Sequence, residues 1–291
     1  MYATMQQLVQ QAKETPLHKV ILENECQLSG LTQQQILEKF RQRWQVMYAS
    51  AHKALEKPQK MIGDLITGQA SRQKQYSKRE GFLGESTNRM MAMAFSGSEV
   101  NASMGRICAA PTAGACGILP AVLITAKERL NSSDEELLQA LVVATGVGAV
   151  ITKNATVSGA EGGCQAECGV AAAMAAAGVV YLAGGSAQMC ADACAIALMN
   201  CMGLICDPVA GLVQLPCSFR NASQSVNALA SADMVLAGQT SVIPADEVIE
   251  AMYKVGKKLP AEFRETALGG IAISPTAKEI SQQIFGEIPQ I

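Results

Sequence analysis

K-N-A-T-V-S-G-A-E-G-G-C-Q-A-E-C-G, residues 153–169, leads into G-V-A-A-A-M-A-A-A-G-V-V-Y-L-A-G, residues 169–184, and the stretch closes with I-C-D-P-V-A-G-L-V-Q-L-P-C, residues 205–217. The middle part carries no charge and little bulk, so other helices can approach its backbone closely. Its sixteen residues fall short of the roughly 20 that span a bilayer, and the reading is a buried helix. The thiols on either side sit where glycine or proline bends the chain: Cys164 follows Gly162-Gly163, Cys206 precedes Asp207-Pro208, and Cys217 follows Pro216. Bends of this kind present side chains towards a common point. Three thiolates gathered by loops point to a metal or iron-sulfur site, because soft sulfur ligands select zinc, copper(I) or iron-sulfur clusters.

Outward from this stretch the pattern is helical. Ile36, Leu37, Phe40, Trp44, Met47, Tyr48 and Leu55 recur at three- and four-residue steps between polar residues, which predicts an amphipathic helix of about six turns. Ser29-Gly30 stops the helix before it and Leu31-Thr32 starts it. Residues 58–84 weaken into a loop or hinge with a basic run at Arg72, Lys74, Lys78 and Arg79. Further helices are expected over 86–95, 99–107, 118–130, 133–152, 159–184, 186–202, 221–237 and 244–255, the fourth opened by a Ser133/Glu136 capping box. Neither sustained alternation nor a fixed repeat is present. The fold class is therefore all-α: a helical extension over 1–60 and a compact helical domain over 61–291.

Only 16% of the 291 residues are charged and 4% aromatic, against about 25% charged in an average soluble protein. That deficit implies buried small-residue helices and a subunit interface, hence an oligomer. A net charge of −2 gives no reason to expect nucleic acid or an anionic membrane as partner. Ten cysteines in a chain with no basic and apolar leader at its start point to a reducing cytoplasm.

Together with G-R-I-C-A-A-P-T-A-G-A-C-G-I-L-P at 105–120, the stretch closely resembles the alpha chain of iron-sulfur-dependent L-serine dehydratase, from about Asn101 to Gly238. The resemblance implies a helical catalytic domain and a 4Fe-4S cluster held by the cysteines of S-G-A-E-x-G-C-Q, C-D-P-V-x-G and the following V-P-C. Those positions are Cys164, Cys206 and Cys217 here, 42 and 11 residues apart. It further implies that L-serine is converted to pyruvate and ammonia, with an open cluster iron as Lewis acid. A beta chain carrying an S-S-S-H-T stretch, which this chain lacks, is the implied partner.

Beside the cluster, Pro111, Thr112 and Gly114 lie in a loop ending at a helix start, where unpaired N–H groups suit the substrate carboxylate. Arg106 can add a bidentate contact, or be an ordinary surface arginine. Ser158 can cap the helix from Gly159, with Glu161 complementing its dipole. The resemblance instead places Lys153, Asn154 and Ser158 as catalytic residues of the pocket, with Asn221 among the substrate contacts. Cys26, Cys190, Cys194 and Cys201 read as buried hydrophobes, the last three on one helical stripe, while Cys108, Cys116 and Cys168 are ambiguous. Cys164 and Cys168 could form a zinc pair, but no histidine is near them, and the family commonly carries valine at position 168. His18 and His52 read as solvated, so the base for the α-proton is not evident here. Two other readings stay open: an iron-sulfur L-cysteine desulfidase and a non-catalytic iron-sulfur or redox sensor.

Overall fold

Every residue from Val170 to Val180 is buried, so the uncharged segment is the helix against which the rest is laid. The computed structural model describes residues 2–79 and 81–286; Met1 and residues 287–291, at the ends of the expected 1–60 and 61–291 segments, lie outside them. In chain order the helices are α1 (Met5–Gln11), α2 (Leu17–Ser29), α3 (Gln33–Glu56), α4 (Gln69–Ser77), α5 (Gly84–Ala102), α6 (Ile118–Leu130) and α7 (Asp134–Asn154). They continue as α8 (Gly159–Gly162), α9 (Val170–Leu182), α10 (Ala187–Met199), α11 (Cys217–Leu236), α12 (Ala245–Lys258) and α13 (Pro275–Phe285). Among the described residues there is no strand, only an isolated bridge between Cys206 and Arg264. The fold is all-α.

The central α9 packs against α6, α7, α10 and α11. Its alanines allow this closeness, and Gly178 is packed tightly: a Cβ there would lie 3.2 Å from Leu123 and 3.3 Å from the carbonyl of Ala140. Met5, Leu8, Leu17, Val20, Ile21, Ile36, Phe40 and Met47 of α1–α3 belong to the same apolar cluster as α6, α7, α9 and α10. The expected signals hold at α2, which ends on left-handed Gly30, and at α3, which opens with a Thr32/Gln35 capping box. The Ser133/Glu136 box opens α7. By length and composition Asp134–Asn154 and Gln165–Leu182 could each cross a membrane, but 67% and 83% of their apolar windows are buried in the fold, which makes them core helices.

Four expectations fail for identifiable reasons. The helices expected over 86–95 and 99–107 are the single helix α5, followed by a non-helical run to Ala110. Ser96-Gly97-Ser98 reads as a break, yet Ser96 Oγ donates to Ser50 O and accepts from Ala54 N, and Gly97 lies against Gly117. A Cβ on Gly97 would be 2.7 Å from Gly117 Cα, so this glycine marks a helix crossing. Gly97→Ala should therefore cost about 1–3 kcal/mol by overpacking, seen as a lowered Tm; an unchanged Tm would contradict the crossing.

Residues 58–84, expected as a loop, contain α4. Its start is fixed from outside by the fully buried Glu99, whose carboxylate accepts from Ala70 N at 2.8 Å and Gln59 N at 3.1 Å. The helix expected over 159–184 breaks at Gly163, whose φ of +74° no regular helix accommodates, and resumes through a π-helical turn at Gln165–Gly169 before α9. Because α10 stops at Met199, Cys201 lies in the following turn rather than on the helical stripe of Cys190 and Cys194. It is still buried, with its thiol 3.4 Å from the carbonyls of Ala197 and Leu198.

Candidate functional site

Cys164, Cys206 and Cys217 are all buried, and each is set by a different piece of backbone. Before Cys164, Gly163 turns the chain so closely that a Cβ there would lie 2.8 Å from Leu204 O. The next residue, Gln165, is fully buried and satisfied on every side. Its N–H donates to Leu204 O at 3.0 Å, its Nε2 to Gly162 O at 2.9 Å and Met252 O at 3.1 Å, and its Oε1 accepts from Gly203 N at 2.8 Å. One amide thus ties the Cys164 turn to α12 and to the loop carrying Cys206. Cys206 N donates to Phe263 O at 2.8 Å and Cys206 O accepts from Glu265 N at 2.9 Å. Cys217 is the first residue of α11, after Pro216.

The three sulfurs share one electrostatic neighbourhood. Cys164 is held below the usual thiol range by a hydrogen bond from the Cys168 thiol, with the Arg220 guanidinium assisting against the effect of burial. Burial raises the other two, and the Cys164 thiolate adds to it: Cys217 is pushed up to about 12, and Cys206 higher still. Arg220 is itself anchored, with Nη2 2.8 Å from the Asp207 carboxylate and Nη1 2.7 Å from Ile205 O. Asp207 Oδ2 also accepts from Ile271 N at 2.8 Å. Asp207 is 2% exposed, so Arg220→Met should leave a buried carboxylate unpaired and cost about 3–5 kcal/mol. Urea denaturation of the cluster-free protein measures it; a loss below 1 kcal/mol would show the pair to behave as a surface one.

A carboxylate stands against these thiols. Glu167 Oε1 accepts from the Thr112 hydroxyl at 2.8 Å, and its Oε2 is 3.9 Å from Cys206 Sγ. Burial raises the Glu167 carboxyl, the Thr112 hydrogen bond partly offsets that, and Glu265 raises it further. Among the described residues, the set of potential ligand atoms that closes to within 4.8 Å is Glu167, Cys206 and Glu265.

The sequence-expected residues divide. Thr112 and Gly114 are at the site: a Cβ on Gly114 would lie 3.3 Å from Glu167 Oε1. Pro111 precedes them after a cis Ala110–Pro111 bond. Asn221 is fully buried, but its amide is committed. Nδ2 donates to Gly114 O at 2.7 Å and Cys217 O at 2.9 Å, and Oδ1 accepts from Gly117 N at 3.0 Å. It splices the Thr112 loop to the helix of Cys217. It also occupies the helix-start N–H at Gly117 that the sequence reading left for an anion.

Ser158 stands at the head of α8 without making a side-chain cap. Next to it, a Cβ on Gly159 would lie 2.6 Å from Glu167 Oε2 and 3.0 Å from Glu265 Oε2. Asn154 Nδ2 is spent on Ala3 O and Val150 O, both at 2.8 Å, which ties down the N-terminal segment. Lys153 and Arg106 are exposed and form no ion pair among the described residues. His18, expected solvated, is half-buried with Nδ1 2.5 Å from Tyr181 OH. His52 is half-buried with Nδ1 2.8 Å from Tyr48 O.

Arg220, Asp207, Glu167 and Glu265 were not singled out from sequence. Two of them had a signal: Asp207 adjoins Cys206, and Arg220 is one helical turn after Cys217. Glu265 had none, since it arrives through the isolated bridge. Cys168, ambiguous in sequence, is buried with Asn221 Nδ2 4.0 Å from its sulfur and is the largest cause that lowers Cys164, whereas Cys116 is a core thiol 3.5 Å from Gly97 O. Cys108 is half-buried against the main core.

Residues 12–272 match the family described as serine dehydratase alpha chain. The chain is 46% identical over 272 residues to "L-serine dehydratase, alpha chain" of Peptoniphilus asaccharolyticus, covering 93% of both. It is 42% identical over 289 residues to "Probable L-serine dehydratase, alpha chain" of Bacillus subtilis strain 168, covering 98% of this chain and 96% of that one. It is also similar to "L-serine dehydratase 1" of Escherichia coli K12, 46% identical over 186 residues, which are 63% of this chain and 40% of the other.

Proposed function

The chain belongs to the serine dehydratase alpha chain family, and from that premise we propose that it is the alpha subunit of an L-serine dehydratase, a lyase that makes pyruvate and ammonia at a 4Fe-4S cluster. The observation that carries this is the convergence of Cys164, Cys206 and Cys217 from three separate segments. These residues fit such a cluster in two respects: all three are soft thiol donors, and Cys164 is held below the usual thiol range by Cys168 and Arg220. Held by three thiolates, a four-iron cluster would keep one iron free of protein ligands and would supply a Lewis acid.

The chain's own residues then bind and orient. Thr112 and Gly114 form the floor beside Glu167, and Arg106, on the same segment, supplies the charge for the substrate carboxylate. Loss of the α-proton and β-hydroxyl from serine gives 2-aminoacrylate and water; its imine tautomer takes up water to yield pyruvate and ammonia. Arg106→Lys should raise KM for serine about tenfold at unchanged iron content, because a two-pronged donor becomes a point charge. An unchanged KM would return Arg106 to an ordinary surface role.

The partner in this proposal is a beta chain in a cytoplasmic oligomer. An apolar group is exposed near the Thr112 loop: Met104 is 92% exposed. Met104 lines a groove of about 510 Å³ with Ile62, Ala113 and Val213, and Val213 approaches Gly114. Water-exposed apolar surface at the mouth of a site is what a docking subunit would cover. The test is anaerobic assay of the cluster-loaded chain together with its beta chain. Pyruvate and ammonia from L-serine support the proposal. Sulfide and pyruvate from L-cysteine alone would make it a desulfidase, and a stable cluster with neither turnover would make it a sensor.

A further inference from the structure

Beside the three thiols lies a second ligand set that the cluster reading does not use. Glu167 Oε2, Cys206 Sγ and a Glu265 carboxylate oxygen lie within 4.8 Å of one another. Cys206 Sγ and Glu167 Oε2 are 3.9 Å apart, close to the roughly 3.6 Å that a tetrahedral ion leaves between a thiolate at about 2.3 Å and a carboxylate at about 2.1 Å. The two carboxylates face each other across Gly159, and among the described residues neither has an ion-pair partner. Cys206 is 3% exposed, whereas Glu265 is exposed, so the trio has a buried end and an end open to solvent. Three separate segments meet here, and the third is held by the Cys206–Arg264 bridge. One soft sulfur with two hard oxygens matches a borderline divalent ion such as ferrous iron, cobalt(II) or zinc, rather than copper(I) or calcium.

We propose that the cluster-free chain binds one divalent transition-metal ion at Glu167, Cys206 and Glu265, and that this ion competes with cluster assembly for Cys206. Binding releases the Cys206 proton to solvent and leaves a fourth position for water. The site itself is independent of the serine reading. Only the competition rests on it.

The experiment is an anaerobic titration of cluster-free protein with cobalt(II), read by the sulfur-to-cobalt charge-transfer band, with zinc as displacing ion. One equivalent should produce the band and one equivalent of zinc should remove it. Glu265→Gln, a surface change that leaves the fold intact, should weaken binding at least about tenfold, the loss typical of even an outer-shell partner. Glu161→Gln, on the exposed face of α8, should leave it unchanged. Cys206→Ser should abolish the band, while Cys164→Ser and Cys217→Ser should keep it although neither assembles a cluster. Absence of the band in the wild type, its persistence in Cys206→Ser, its loss in Cys217→Ser, or unchanged affinity in Glu265→Gln would each overturn the site. Zinc preloading should slow cluster reconstitution, and Glu265→Gln should relieve that. Cobalt binding with no effect of zinc on reconstitution would keep the site and overturn the competition.

Discussion

Reconstituted anaerobically, Cys164→Ser, Cys206→Ser and Cys217→Ser are each expected to come out colourless and without iron, whereas Cys194→Ser should be as brown as the wild type. The difference follows from position. Cys194 is fully buried on α10 and burial pushes its thiol up to about 12, so it stays protonated as a small core side chain. The other three face one another across the Gly163 turn, the Cys206 bridge and the head of α11. A serine hydroxyl at any of them replaces a soft ligand by one that iron-sulfur clusters rarely accept. Two remaining thiols cannot retain the cluster. On exposure to air the wild type should bleach, because a cluster held by three thiolates would leave one iron with no protein ligand to protect it. Full iron content in any one of the three variants would remove that residue from the ligand set and the assignment with it.

The second large effect concerns the partner. Alone, the cluster-loaded chain should deaminate serine slower by roughly 10² to 10⁴ than with its beta chain, the usual range for a missing general base. Its two histidines are bound elsewhere: His18 to Tyr181 on α9, and His52 to the carbonyl of Tyr48 within α3. The two proteins should co-elute on a sizing column, and mixing them should restore activity. Full activity from this chain alone would refute the two-subunit reading and make Lys153 the first residue to test as the base.

How much of this was legible in the sequence depended on whether the cause was local. The helix start at Thr32, the capping box at Ser133, the stop at Gly30 and the bends before Cys164 and Cys217 are chemistry within a few residues, and they were readable. The uninterrupted α5 was not, because Ser96 and Gly97 are accounted for only by Ser50, Ala54 and Gly117, which lie far away in sequence. The start of α4 likewise depends on the buried Glu99, which no local pattern couples to Ala70. At the site, the cysteines and the Thr112 loop stood out by type and by the bends around them. Glu265 reaches the site through the fold alone, and the role of Asn221 became clear only when its amide was seen to be committed to three backbone groups.

Iron and acid-labile sulfide counted per chain in the anaerobically reconstituted wild type test the central claim most directly. The account predicts roughly four of each, as a 4Fe-4S cluster requires. One metal ion per chain with no labile sulfide, under conditions where the three thiols are reduced and accessible, would contradict it.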